Sequence, residues 1–243
     1  MNTLQPFLIA LQLLTIVPVR IKTPVENKHM GQSLLYYPLI GFIVASVLVL
    51  LGWLLNTQSD NVTAILLLLV WVVLTGGLHL DGLADSADAW LGGIGDKNRT
   101  LAIMKDPACG PIAVAALVLL LLAKFVMLTV LIASNDWFAI IVAIILARTA
   151  MPLLFLTTPY VREGGIASVM ITHQPQTASK LMLIVIGLLT IASGNMIPLL
   201  VTAGLFLLLR YWMQQRLGGT TGDTAGAMVE ILETAVLMTA VII

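Results

Sequence analysis

From Leu34 to Leu55 the chain carries no charged side chain at all. A helix needs about 20 apolar residues to cross the ~30 Å hydrocarbon layer of a bilayer, so this stretch alone reads as a membrane span. Comparable apolar runs cover 4–19, 62–78, 111–133, 137–159, 181–193, 196–209 and 227–243. A chain of 243 residues that is 59% hydrophobic and only 10% charged is far from the ~25% charged content of a soluble domain. The fold class is therefore all-α: a polytopic integral membrane helical bundle with seven or eight transmembrane helices, forming one transmembrane domain over 1–243. The count turns on 181–193 and 196–209, which are either a hairpin of two short spans or one long kinked helix across Ser193-Gly194-Asn195.

The placement of charge favours eight. Four connections, 20–33, 79–110, 160–180 and 210–226, then share one side and hold Arg20, Lys22, Lys28, Lys97, Arg99, Lys105, Arg162, Lys180, Arg210 and Arg216. The opposite connections hold Asp60 and Asp136 and no basic residue. The positive-inside rule makes the first set cytoplasmic and both termini non-cytoplasmic. The first run lacks the basic leader and small-residue cleavage site of a signal peptide. Twelve basic and twelve acidic residues balance, so no overall field would attract a nucleic acid. A single cysteine excludes a disulfide framework and a thiolate zinc site.

Most of the few acids are clustered. Asp81, Asp85 and Asp88 are spaced by four and three, which puts three carboxylates on one helical face. Like charges so arranged repel unless a cation sits among them, and oxygen-only ligands suit Mg²⁺ or Mn²⁺. Mg²⁺ usually takes one or two protein carboxylates and leaves room for substrate phosphates. The cluster therefore points to metal plus diphosphate. His79, just before it, could orient a carboxylate or bind phosphate.

The second cluster follows a glycine-rich turn, Gly218-Gly219-Thr220-Thr221-Gly222, and consists of Asp223, Glu230 and Glu233. Asp223 and Glu230 are seven apart and share a face, and Glu233 continues the stripe into an apolar segment, where an ionisable group is costly and usually functional. A structural alternative is an internal ion pair with Arg210 or Arg216. The turn offers backbone N–H groups to a phosphate, with Gly218 and Gly219 leading it, but it lacks the pattern of a nucleotide P-loop. Arg99, Lys105 and Arg162 are candidates to neutralise phosphate charge. Lys124 and Arg148 lie deeper and must snorkel, pair or line a wet cavity.

These residues together resemble the cobalamin synthase family, the adenosylcobinamide-GDP ribazoletransferases. The resemblance is carried by His79-Leu80-Asp81-Gly82-Leu83-Ala84-Asp85-Ser86-Ala87-Asp88, by Met104-Lys105-Asp106 and Gly110, and by Pro159-Tyr160-Val161-Arg162. Gly218-Gly219-Thr220-Thr221-Gly222-Asp223-Thr224-Ala225-Gly226-Ala227 with Glu230 and Glu233 completes it. It implies a multi-pass enzyme of the cell inner membrane, surrounded by membrane lipid, that uses Mg²⁺ and faces the cytoplasm. Its substrates would be adenosylcobinamide-GDP and α-ribazole or its 5′-phosphate, and its products adenosylcobalamin, or its 5′-phosphate, and GMP. A homo-oligomer, or association with other corrin-pathway enzymes, is compatible with it; nucleic acid is not a partner.

On this reading Asp81, Asp85, Asp88, Asp223, Glu230 and Glu233 hold metal, and Arg99, Lys105, Arg162, Gly218 and Gly219 hold phosphate. Asp85 or Asp88 is the candidate base, His79 stands behind them, and Lys105 assists at the reacting phosphate. Three other classes share some of these features. A CDP-alcohol phosphatidyltransferase would need arginine where Asp85 follows Ala84, and an isoprenoid transferase a DDxxD string that is missing. A cation-coupled transporter would place its acids at mid-membrane depth within an internal repeat.

Overall fold

The computed structural model describes residues 4–21, 24–162 and 164–243. Lys22, counted above among the basic residues, lies outside them. The described chain is helical throughout, with no strand, and its one pair of bridged loops involves Tyr160 and Thr220.

Helix α1 (Gln5–Leu14) has ten residues, about 15 Å at 1.5 Å per residue and half a hydrocarbon thickness. The expected span over 4–19 is thus cut short. Thr15 leaves the helix in extended conformation, its hydroxyl donating back to the Leu11 carbonyl at 2.7 Å. Val17 precedes Pro18, which disfavours further helix. The amide of Ile16 instead donates to the Leu74 carbonyl at 2.9 Å.

A continuous helical run then covers 27–54 as α2 (Asn27–Ser33), a single 3₁₀ turn (Leu34–Tyr36) and α3 (Tyr37–Leu54). Helix α4 (Asp60–Thr75) stops at Gly76 and Gly77, whose φ angles of 63° and 67° lie in the left-handed region that glycine tolerates. The chain turns there by 87° into α5 (Leu78–Gly92). The polar connection expected over 79–110 is therefore largely helical: α5, then the short α6 (Lys97–Ile103), capped by the Asp96 carboxylate on the Arg99 amide.

Helices α7 (Pro111–Ala133) and α8 (Trp137–Thr157) begin at a proline and at the Asp136 cap. The short α9 (Ile166–Thr172) bends by 94° into α10 (Gln176–Ala192). The doubtful pair is two helices: Gly194 (φ 83°) turns α10 into α11 (Met196–Leu217). Helix α11 continues past the expected 209, so Arg210 and Arg216 sit on a helix rather than in a connection. Helix α12 (Gly222–Ile242) ends the bundle.

By length and apolarity five helical runs can cross a membrane, and seven can if each bent pair counts as one crossing. The chain is thus an all-α polytopic membrane protein, and the eighth crossing, at α1, drops out. Its centre is α8, buried along most of its length, with α3 and α12 packed on it through Ile40, Val44, Leu48, Ile144, Met228 and Leu232. Leu119, Leu122, Leu188, Leu200 and Leu207 face outward, as lipid contact requires.

Candidate active site

Helix α5 brings Asp81, Asp85 and Asp88 to one face, as their spacing requires, and that face lines an open cavity of about 480 Å³. Gly76, Gly77, Ala84, Pro107, Cys109 and Leu117 are among the other residues of its wall. Helix α12 closes against α5 at its own first turn. A Cβ on Gly82 would lie 2.7 Å from the Asp223 carbonyl oxygen, so the two backbones touch with no side chain between them. This contact brings Asp223 to the acids of α5.

The electrostatics record the convergence. The Asp85 carboxyl is pushed up to about 6, first by partial burial, then by the negative charges of Asp81 and Asp223, against the opposing pull of Arg162. Arg162 Nη1 donates to Asp223 Oδ2 at 2.9 Å. The Arg162 loop is fixed by backbone pairing: the Val161 amide donates to the Thr220 carbonyl at 3.0 Å, and the Thr220 amide to the Pro159 carbonyl at 2.8 Å. Burial also raises the Tyr160 phenol.

The remaining expected site residues fall in several places. Asp88 accepts from the Gly110 amide at 2.5 Å and the Ala113 amide at 2.9 Å, so it caps α7 from a different helix. Asp106 closes its own turn by accepting from the Ala108 amide. Arg99 and Lys105 are exposed and make no ion pair among the described residues. Gly218 (φ 73°) ends α11 and donates its amide to the Gln214 carbonyl. The Thr220 and Thr221 amides are likewise engaged, the former with the Pro159 carbonyl and the latter with the Thr224 hydroxyl in the cap of α12. Gly219 is pressed against Pro159, where a Cβ would meet the carbonyl at 2.2 Å.

Glu230 and Glu233, expected among the metal-holding acids, do not line the cavity and are held in buried ion pairs instead. Lys124 Nζ donates to Glu230 Oε2 at 2.7 Å and also to Glu233, while Arg148 Nη1 donates to the other Glu233 oxygen. All four side chains are buried, and Lys124 lies 4.4 Å over the Trp71 ring. The partners are thus the two deep cations, not Arg210 or Arg216. Arg210 holds Thr157 and Thr158, and Arg216 holds Thr100 and the Trp90 carbonyl. Two deep anions and two deep cations in one apolar chain were the available signal. His79 is also buried against α12 and does not line the cavity; neither ring nitrogen has a partner among the described residues.

Among the described residues no three histidine, cysteine, aspartate or glutamate side chains form a ready-made metal cage. Mg²⁺ does not require one, since one or two carboxylates, water and substrate phosphate usually complete its octahedron. Asp81 lines the cavity, and Asp223 lies near enough to act on the Asp85 carboxyl together with it, so these two carboxylates fit that demand.

The cobalamin-5-phosphate synthase family model matches residues 6–241 of this chain. A protein of Pseudomonas fluorescens Pf-5 named adenosylcobinamide-GDP ribazoletransferase is 52% identical over 244 residues, covering 96% of this chain and 97% of its own. Proteins of the same name from Pseudomonas putida GB-1 and Stutzerimonas stutzeri A1501 are 50% and 48% identical, with 96% of this chain covered in each case and 97% and 96% of their own. No solved structure matches the chain.

Proposed function

The chain belongs to the cobalamin-5-phosphate synthase family, and from that premise we propose that its transfer reaction runs in the cavity between α5 and α7, beside the contact of α5 with α12. The activity is that of an adenosylcobinamide-GDP ribazoletransferase: ribazole is joined to the GDP-activated corrin precursor, and GMP leaves. The observation that carries the assignment to this cavity is the meeting of Asp81 and Asp85 with Asp223 and Arg162 across a backbone contact.

Asp81 and Asp223 would hold Mg²⁺, with the diphosphate supplying further oxygens. When bound, the ion supplies charge neutralisation on the attacked phosphorus and the GMP leaving group. Asp85 takes the proton of the attacking ribose hydroxyl. Among the described residues no backbone amide bonds its carboxyl, and a pKa near 6 leaves it ionised yet basic at neutral pH. Asp88 suits this less, because both its oxygens already accept amides. Arg162 lies against Asp223 and can reach for a phosphate oxygen; Lys105 and Arg99, exposed and without an ion pair among the described residues, would add charge for the same anion. In-line transfer of this kind depends on positioning and charge rather than on a covalent intermediate.

The cavity faces the cytoplasm in this reading. Arg216 bonds Thr100, and the Tyr160 loop pairs with Thr220, so the loops bearing Lys97, Arg99, Lys105 and Arg162 gather on one side of the bundle. The positive-inside rule assigns that side to the cytoplasm, and the family resemblance supports the inner membrane as the bilayer. The test is GMP release by the purified protein in a bilayer, given adenosylcobinamide-GDP, α-ribazole and Mg²⁺. Wild-type turnover by Asp85→Asn would remove Asp85 from the reaction, and turnover unaffected by chelation would remove the ion.

A further inference from the structure

The four buried charges below the cavity raise a question that the reaction does not answer. Lys124 on α7, Arg148 on α8 and Glu230 and Glu233 on α12 form a neutral network within the apolar core. Ion pairs in such a place are a poor source of stability, since apolar side chains of similar size usually serve as well. They are better suited to specifying one arrangement among several.

Helix α12 has such a choice to make. It packs on α5, α7, α8 and α11, and its buried surface is built largely from Ala225, Ala227, Met228, Val229, Leu232 and Val236. Surfaces of this kind accept rotation or sliding with little change in contact, because lipid and helix are equally apolar. A shift by one residue would instead separate Glu230 and Glu233 from both cations and leave buried charge without a partner.

The consequence reaches the cavity directly. Asp223 lies seven residues before Glu230, about 10 Å along the same helix at 1.5 Å per residue. Above the network, α12 meets α5 backbone to backbone: Gly82 against Asp223, and Gly226 against His79, where a Cβ would sit 3.3 Å from the His79 Cα. No flexible side chain is present at these two contacts to absorb a displacement. A rotation of α12 that kept its apolar burial would still carry Asp223 away from Asp81.

We propose that the Lys124–Glu230–Glu233–Arg148 network is a register lock for α12, and that Lys124 and Arg148 are positioning residues that set Asp223 opposite Asp81. Neither cation touches substrate; each acts through α12. The functional arm of this inference rests on the reading of Asp223 as a metal-holding residue, whereas the geometric arm does not.

The experiment replaces one pair by apolar residues of similar length, Lys124→Met with Glu230→Met, leaving the neutral Arg148–Glu233 pair in place. Spin labels at Leu91 on α5 and Met238 on α12, both exposed, report the relation of the two helices; the native Cys109, also exposed, is replaced by serine in both backgrounds. The expected result is an unfolding midpoint within a few degrees of the parent, a broadened or displaced distance distribution, and kcat lowered at least ten-fold with KM changed less than three-fold. A narrow, unmoved distribution overturns the proposal even if GMP release is absent for other reasons. A moved distribution with parental kcat upholds the lock and removes Asp223 from the reaction. If the double variant does not fold, Lys124→Arg and Lys124→Met decide the matter. Arginine is expected to restore the parental distance distribution and methionine to broaden it, and identical distributions for the two would overturn the lock.

Discussion

Gly82 of α5 and Asp223 of α12 stand so close that a methyl group on the glycine would lie 2.7 Å from the Asp223 carbonyl oxygen. Real β-carbons essentially never approach backbone oxygen so nearly, so Gly82→Ala must push the two helices apart. Overpacking of this kind costs roughly 1–3 kcal/mol. The same displacement separates Asp223 from Asp81. Gly82→Ala is expected to lower both the unfolding midpoint and GMP release, the latter at least ten-fold. Gly226→Ala, whose Cβ would meet the His79 Cα at 3.3 Å, should do less of each. Equal turnover for the two variants and the parent would show that this contact does not set the site.

Asp85 gives the reaction a pH dependence with a definite sign. Its carboxyl is raised from 3.8 to about 6, first by burial and then by the charges of Asp81 and Asp223. As proton acceptor it must be ionised, so kcat/KM is expected to fall about ten-fold per pH unit below that value. Asp85→Asn should leave a low rate without this limb. The same shift acts on stability in the metal-free protein. The contribution is fully present below pH 3.8 and is lost as pH rises through about 6, because deprotonation leaves a partly buried charge that Asp81 and Asp223 also repel. A cation opposes that loss, so Mg²⁺ should raise the unfolding midpoint more at pH 7 than at pH 5.

The sequence displayed some of this more clearly than the rest, and the difference is physical. The spacing of Asp81, Asp85 and Asp88 on one helical face needs only local geometry, and so do the limits of α7, set by Pro111 and the turn after Ala133. Helix α1 was overextended because hydropathy does not register Thr15 bonding back to Leu11, or the constraint of Pro18 on Val17. The 87° turn was hidden in Gly76-Gly77, which reads equally as a packing site. The ion pairs of Glu230 and Glu233 were not legible because their partners come from far along the chain, Lys124 at a separation of 106 residues and Arg148 at 85. A deep carboxylate announces a partner, but its position in the sequence does not say whether that partner is a cation on another helix or a metal.

Asp88 separates structural from chemical duty on α5. With two amides of the α7 start on its oxygens, Asp88→Ala leaves Gly110 and Ala113 without acceptors. Loss of such a cap costs about 1–2 kcal/mol. The expected outcome is a lowered unfolding midpoint with Mg²⁺ affinity changed much less than in Asp81→Asn, both read by thermal unfolding against metal concentration. An unchanged midpoint together with lost metal binding would return Asp88 to the metal site.

Arg162 is the residue whose substitution should move two quantities in opposite directions. Its guanidinium neutralises Asp223 at 2.9 Å, and so competes with any cation for that carboxylate. It also offers the planar fork best suited to a phosphate oxygen. Arg162→Gln removes the competitor and the phosphate donor together. Without substrate, Mg²⁺ should bind at least as tightly as to the parent, measured by calorimetry on the detergent-solubilised protein. With substrate, KM for adenosylcobinamide-GDP should rise about ten-fold, the loss of a charged hydrogen bond being worth roughly 1.5 kcal/mol. Arg162→Lys should recover part of the second effect, because the ammonium keeps the charge but loses the fork. A variant whose metal affinity and KM both worsen would instead make Arg162 a support for Asp223 rather than a contact to the diphosphate.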